Sequence, residues 1–304
     1  MSAVTGYLHP GYAESLGEFG APRGLPESGG WLLERPIPGS GDRDATGCYP
    51  LFTCQDWTRL GRDLDGLADR LVSVGLVADP FGQYEVADLE RCFPDRFFRF
   101  KEHHVIDLGR PPHSYVSAHH QRNARKALDQ LQVEGSDVPP AAEEWERLYS
   151  TLIERHSITG ISAFSRQAFA RQFSVPGLVA FRAISEGETV GMLLWYLQDG
   201  VGYYHLGAYS PQGYELRASF ALFWKAIHYF AESGLGWLNL GSGAGLGGGD
   251  EDGLSRFKRG WATGTRPAWF CGRILNREKY DELVRAHGVT GDDYFPLYRR
   301  GEFR

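Results

Sequence analysis

The most constraining stretch of the sequence is a set of three β-rich runs, 178–184, 190–197 and 201–209, lying close together. The first two are separated by Ser185-Glu186-Gly187-Glu188 and the last two by Asp199-Gly200. Both spacers are hairpin signals, because a tight two-residue turn needs the positive φ that glycine supplies without cost. After Pro211-Gln212-Gly213 the period becomes helical, with Leu216, Phe220, Phe223, Ile227 and Phe230 on one face. That helix stops near Gly234, and Trp237-Leu238-Asn239-Leu240-Gly241 reads as a returning strand. Three antiparallel strands, a helix and a returning strand define an α+β layer around a mixed, mostly antiparallel sheet flanked by helices.

The remainder is less regular. Residues 1–47 are rich in Gly and Pro with little period, and read as an irregular lead-in. Tyr49-Pro50-Leu51-Phe52 begins a strand, and Asp56 caps a helix carrying Trp57, Leu60, Leu64 and Leu67. Residues 71–77 are β-rich and end at Asp79-Pro80, and 97–108 alternates as another strand. Ser117 caps a basic helix through Leu131. Pro139-Pro140 breaks the chain before a helix with Trp145, Leu148, Tyr149, Leu152 and Ile153 on one face. Ser165 caps a shorter helix carrying Phe169 and Phe173. A strand at 268–275 then leads to a helix capped by Asn276 and stopped by Gly288.

A chain of 304 residues, 42% hydrophobic and 13% aromatic, can build about two cored domains. No run approaches the ~20 apolar residues of a membrane span. The first ten residues lack the basic and apolar regions of a signal peptide, so a cytoplasmic location is expected. Cys48, Cys54, Cys92 and Cys271 form no Cys-x-x-Cys pair and have no His at metal-ligand spacing, so reduced thiols and no metal site are expected. The net charge of -6 hides an asymmetry. Residues 91–126 carry eight basic against three acidic side chains, and 254–304 carry eleven against six. Two basic segments in an acidic chain suit a localised anionic ligand better than a broad nucleic-acid surface, and no DNA partner is expected. The basic residues from Arg299 onward read as a solvated face.

Gly253-Leu254-Ser255-Arg256-Phe257-Lys258-Arg259-Gly260-Trp261 holds the strongest chemical candidates. Phe257 and Trp261 would bury their rings, which leaves Lys258 and Arg259 fixed beside a phosphate or a developing oxyanion. The alternative is a surface cation pair flanked by core aromatics. Arg122, Arg125 and Lys126 share a helix face and can bind phosphates, or can simply be solvated, with His119 and His120 one turn earlier. Alternation puts Tyr203 and His205 on one face of their strand and Tyr204 on the other. His205 is a candidate general base or a satisfied core histidine. Asn239 offers an amide, Ser242 beside it is a further donor-binding candidate, and Glu215 and Arg217 are ligand contacts or capping charges. The run from Gly241 to Gly249 contains Gly-x-Gly-x-x-Gly at 243, 245 and 248, but Asp250-Glu251-Asp252 would repel a pyrophosphate, so it reads as a loop at the mouth of the site.

The 253–261 block resembles the Gly-Leu-x-x-Phe-Lys-x-Gly-aromatic signature of the FemAB-like transferases, a branch of the GNAT acyltransferase superfamily. The helix beginning Arg217-Ala218-Ser219-Phe220, the strand Trp237 to Gly241 and the run Arg122-Asn123-Ala124-Arg125-Lys126-Ala127 are similar in order and spacing to the same family. The resemblance covers roughly residues 115–275. It implies two tandem GNAT-like units, a degenerate one over 1–114 and an acyltransferase domain over 115–304, although no repeat joins the halves. It further implies direct attack of an amine, from a small molecule or peptide, on an activated acyl or aminoacyl ester in an inter-domain cleft. No tightly bound cofactor is expected. Lys258 matches the family's motif lysine, and Arg122 and Arg125 match its basic helix.

Coenzyme A enzymes of the superfamily cradle pyrophosphate in an Arg/Gln-x-x-Gly-x-Gly/Ala loop. Pro211-Gln212-Gly213-Tyr214-Glu215-Leu216-Arg217-Ala218 misplaces that glycine and sets Glu215 in the anion's way. That weakens the coenzyme A reading. The resemblance to FemAB-like transferases, whose donor is aminoacyl-tRNA and which lack this loop, implies aminoacyl-tRNA as the slightly preferred donor, with the tRNA acceptor end as partner. Acyl-CoA or an acyl carrier is the alternative. The chain lacks the family's long helical arm, which argues against peptidoglycan as acceptor. A catalytically inert module that binds a phosphorylated ligand is the reading from another class.

Overall fold

The computed structural model describes residues 3–137, 139, 141–243, 252–291 and 293–302. In chain order the first elements are α1 (Pro10–Ser15), β1 (Ala21–Gly24), β2 (Trp31–Pro36), β3 (Arg43–Gly47), α2 (Leu60–Asp65), β4 (Ser73–Val77), α3 (Val86–Cys92) and β5 (Arg96–Asp107). Next come α4 (Ala118–Leu128), β6 (Gln132–Ser136), α5 (Ala142–His156), α6 (Arg166–Gln172), β7 (Leu178–Ser185), β8 (Glu188–Gln198) and β9 (Val201–Tyr209). The last are α7 (Pro211–Glu215), α8 (Ala218–Glu232), β10 (Trp237–Gly241), α9 (Gly253–Arg259), β11 (Gly264–Ile274) and α10 (Arg277–Ala286).

The chain divides into two compact units, one of residues 1–6 and 101–266, the other of 7–100 and 267–304. This differs from a single boundary at 114/115. The second unit is discontinuous because β11 returns to pair antiparallel with β4, Phe270 opposite Val77 and Ile274 opposite Ser73. Within that unit β1, β2 and β3 form antiparallel pairs and β3 lies parallel to β4. The described residues of the 1–47 stretch are thus not an irregular lead-in: they supply α1 and the strands β1, β2 and β3. Nor is Arg299 solvated. It is buried against Asp44, with Nε 2.5 Å from Oδ2 and Nη2 2.9 Å from Oδ1.

In the first unit β6–β7–β8–β9 is an antiparallel meander from β7 onward, with β6 pairing antiparallel on its outer side. The hairpins turn at Glu186-Gly187 and Asp199-Gly200, all four residues at positive φ, the type I′ geometry that matches strand twist. The segment α7–α8 then crosses over, so that β10 runs parallel to β9. On one face of the meander α8 buries Ala221, Leu222, Phe223, Ala226, Ile227 and Phe230 against Trp195 and Phe181. On the other, Tyr196 and His205 pack towards α6. Each fully buried large apolar side chain contributes roughly 1.5–3 kcal/mol, so this layer is a rigid floor for whatever lies at its edge.

Candidate functional site

The edge that matters is where β9 and β10 part. They pair at Trp237, Leu238 and Asn239, opposite Val201, Gly202 and Tyr203, and the pairing goes no further. Both strands are irregular at this point. The β8–β9 register shifts so that His205 is an extra residue, and the β10–β5 register shifts at Leu240. A bulge twists a strand away from its neighbour, so two bulges beside a parallel pair leave the sheet open there. β10 ends on Gly241 at φ 73°, a left-handed conformation that suits glycine.

Lys258 occupies this end. It lies on α9, whose first turn is capped by Asp252 Oδ1 accepting from Ser255 N at 2.7 Å. Successive helical positions point about 100° apart, so Lys258 turns inward while Arg259 stays on the exposed side. Lys258 is 5% exposed, and its Nζ donates to the carbonyl oxygen of Ser242 at 2.6 Å. The Nζ also lies 5.5 Å from the centre of the Tyr204 ring. Burial, reinforced by the charge of Lys101 and opposed by Asp252, lowers its pKa to about 7. A Cβ placed on Gly241 would stand 3.3 Å from Nζ.

Two histidines of β5 face the same end. His103 Nδ1 is 3.0 Å from Asn239 Oδ1, and His104 Nε2 is 3.1 Å from Ser255 Oγ. His103 is held neutral, its pKa pushed down to about 4 chiefly by burial and further by Lys258, Lys101 and His104, against its bond to Asn239. Neither histidine, nor Lys101, is conspicuous in the sequence. The signal was a Lys-x-His-His run inside an alternating strand, which puts Lys101 and His103 on one face.

The motif's aromatics and glycine do structural work. Phe257 and Trp261 pack with Phe220 and Phe223, the Phe223 and Trp261 rings being stacked 5.8 Å apart. Phe257 is therefore an anchor rather than a free ligand surface. His120 inserts between them, donating or accepting at Ser117 Oγ (2.8 Å) and reaching the Phe257 carbonyl (2.9 Å) from Nε2. Since a carbonyl only accepts, Nε2 carries the proton and Ser117 Oγ donates to Nδ1. A Cβ on Gly260 would fall 2.1 Å from His120 Cε1, so the motif glycine is required by this ring. With Ser117 N also bonded to Gly260 O, the heads of α4 and the end of α9 are tied together.

The other sequence candidates sort plainly. Ser242 contributes its backbone carbonyl to Lys258. Tyr203 is buried opposite Asn239. Arg122 and Arg125 are exposed on α4. Arg217, at φ 59°, precedes α8 and donates to Asn123 Oδ1 at 2.7 Å, while Asn123 Nδ2 lies 2.8 Å from His119 Nε2. Glu215 is exposed at the end of α7. His205 is not brought to Lys258. It lies on the opposite face, bonded to Gln172 Oε1 at 3.1 Å among Phe164 and Tyr196, and burial drives its pKa to about 3. It is a satisfied core histidine. A groove of about 290 Å³ near it, lined by Tyr149, Phe164 and Phe169 among others, includes none of the residues around Lys258. Gly245, Gly248 and Asp250-Glu251 lie outside the described residues.

Residues 117–259 match the family described as an acetyltransferase (GNAT) domain. Among solved structures, FemX is similar over 90% of this chain and 92% of its own, with a TM-score of 0.65 at 15% identity. The C-terminal domain of a putative lysylphosphatidylglycerol synthetase from Agrobacterium fabrum is similar over 94% and 96%, with a TM-score of 0.63 at 14% identity. L-PGS from Bacillus licheniformis covers 91% and 95%, with a TM-score of 0.57 at 15% identity. No curated protein sequence matches. Residues 117–259 thus carry a GNAT-type acetyltransferase domain, which supports an acyltransferase. The chain as a whole has the fold of FemX.

Proposed function

We propose that this acyltransferase moves an aminoacyl group from aminoacyl-tRNA to an amine of a small molecule or peptide. The observation that carries the choice of donor is how segment 210–217 spends its backbone donors. Gly213 N goes to Ser210 Oγ, Tyr214 N to Ser210 O, Leu216 N to Gln212 O and Arg217 N to Tyr214 O. A pyrophosphate cradle needs such N–H groups turned outward and unspent. Here they close the helical turn α7, and Glu215 adds a negative charge beside it. An ester donor that brings no pyrophosphate to this place meets no such obstacle. FemX and a lysylphosphatidylglycerol synthetase, the latter named for an aminoacyl product, share the fold.

The chemistry needs little more than positioning and charge. The acceptor nitrogen attacks the ester carbonyl, the oxygen becomes an oxyanion, and the bond to the tRNA ribose oxygen then breaks. The amine proton leaves with the ribose oxygen or to water. Lys258, as an ammonium held in a water-poor place, stabilises the oxyanion, an effect worth roughly 100- to 1,000-fold in rate. Arg122 and Arg125 on α4 and Arg259 on the adjoining α9 supply cations for the phosphates of the acceptor end.

The test is amine-dependent deacylation of charged tRNA by the purified protein, beside thermal unfolding with acetyl-CoA. Transfer from tRNA with no coenzyme A stabilisation is expected. Ligand at about 100 times its Kd stabilises by ~2.7 kcal/mol, so a shift of that size with acetyl-CoA, and no turnover of charged tRNA, would overturn the donor.

A further inference from the structure

We infer that the side-chain nitrogen of Asn239 is a second donor to the oxyanion, and that His103 is a positioning residue that holds it for that purpose. This deepens the proposed reaction and rests on Lys258 serving as the first donor.

The orientation of the Asn239 amide is fixed by its neighbours. Gly241 N lies 2.9 Å from one terminal atom of the side chain. A backbone N–H can only donate, so that atom is the oxygen, Oδ1. His103 Nδ1 is 3.0 Å from the same oxygen and must therefore carry a proton and donate as well. Oδ1 is filled by two N–H groups. The opposite end, Nδ2, is buried in a residue 2% exposed and has no hydrogen-bond partner among the described residues.

An unsatisfied buried donor is destabilising, so it is not retained for stability. Its position suggests the reason. Asn239 is the last β10 residue to pair with β9, at the point where the strands part. The turn that begins with its bond to Gly241 N is the one that carries the Ser242 carbonyl under Lys258 Nζ at 2.6 Å. One turn thus sets a charged and a neutral donor at the same strand end. Other buried donors without partners, such as Trp145 Nε1 and Trp195 Nε1, sit among aromatic rings in the core. A neutral amide beside an ammonium suits an oxygen that is a carbonyl before attack and an anion after it.

Asn239→Asp keeps the shape and the acceptor of the Gly241 and His103 bonds but replaces the donor by an oxygen. It should lower kcat by at least ~100-fold, with KM changed by less than about threefold. His103→Gln, which can still donate to Oδ1, should keep most of the rate, and His103→Leu should lose it in kcat rather than KM. Independently of any substrate, the Asn239 side-chain amide resonance of 15N-labelled protein should shift on titration with millimolar inorganic phosphate, a tetrahedral anion probe. An unmoved resonance overturns the assignment, as does wild-type turnover by Asn239→Asp. Equal rates for His103→Leu and wild type remove His103 from the positioning role. If the wild type turns over no acyl donor at all, the proposed reaction fails, and the resonance still decides whether Asn239 faces an anion.

Discussion

Lys258 Nζ and the Ser242 carbonyl oxygen, 2.6 Å apart, join the last turn of α9 to the loop that leaves β10. That neutral carbonyl is the hydrogen-bond partner of Nζ among the described residues, with the Tyr204 ring beside it, an unusual setting for a buried ammonium. Among the described residues no carboxylate forms an ion pair with Lys258. Its charge is therefore costly at rest and most favourable when a negative charge arrives.

That cost has a pH signature in catalysis. The charged and titratable groups bearing on Lys258 are Lys101 and His103 from β5, Asp252 at the head of α9 and Tyr204 of β9. If the ammonium is the active form, kcat/KM falls as pH rises through about 7. Lys258→Arg, whose guanidinium does not titrate there, should lose this descending limb while keeping part of the rate. A limb unchanged in the variant would assign it elsewhere.

The same group sets a stability trend of opposite sign. The folded pKa of Lys258, about 7, lies below its ordinary value of 10.5. Between those pH values the unfolded chain holds a proton that the folded one has released, so stability rises with pH. Below pH 7 the full cost of burying the charge is present. Lys258→Met should therefore melt higher than wild type at pH 6, and the gap should shrink towards pH 9. A constant gap across that range would contradict a lowered pKa.

Gly260→Ala tests the join between α4 and α9. Its Cβ would lie 2.1 Å from His120 Cε1. Forced repacking should cost about 1–3 kcal/mol by urea unfolding. Adding His120→Ala should recover part of that loss, and strict additivity of the two changes would show that the contact is not the cause.

His205→Gln separates the two faces of the sheet. With its ring bonded to Gln172 and remote from Lys258, the change should leave kcat within about threefold of wild type while lowering stability by ~1 kcal/mol. A large loss of kcat in a well-folded variant would return His205 to the chemistry.

The meander was legible because each hairpin carries its own local instruction. Glu186-Gly187 and Asp199-Gly200 specify their turns, and the helical period of Leu216 to Phe230 follows directly. Burial of the 253–261 segment was legible too, since Phe257 and Trp261, four residues apart across the end of α9, both pack inward. Burial of Arg299 was not, because its partner Asp44 lies 255 residues away and no local pattern announces it. Strands β1 to β3 are four to six residues long and punctuated by Pro and Gly, too short for a period to show. The roles of His103 and His120 depend on Asn239 and Gly260, contacts made only by the fold. His205 drew attention for its residue type, whereas desolvation between Phe164 and Tyr196 decides its state.

The most direct measurement is single-turnover transfer from charged tRNA by Lys258→Ala beside wild type, with thermal unfolding of both. The expected result is a rate lowered at least ~100-fold in a variant that melts no lower than wild type. Transfer at the wild-type rate would contradict the assignment of Lys258 as the residue that stabilises the oxyanion.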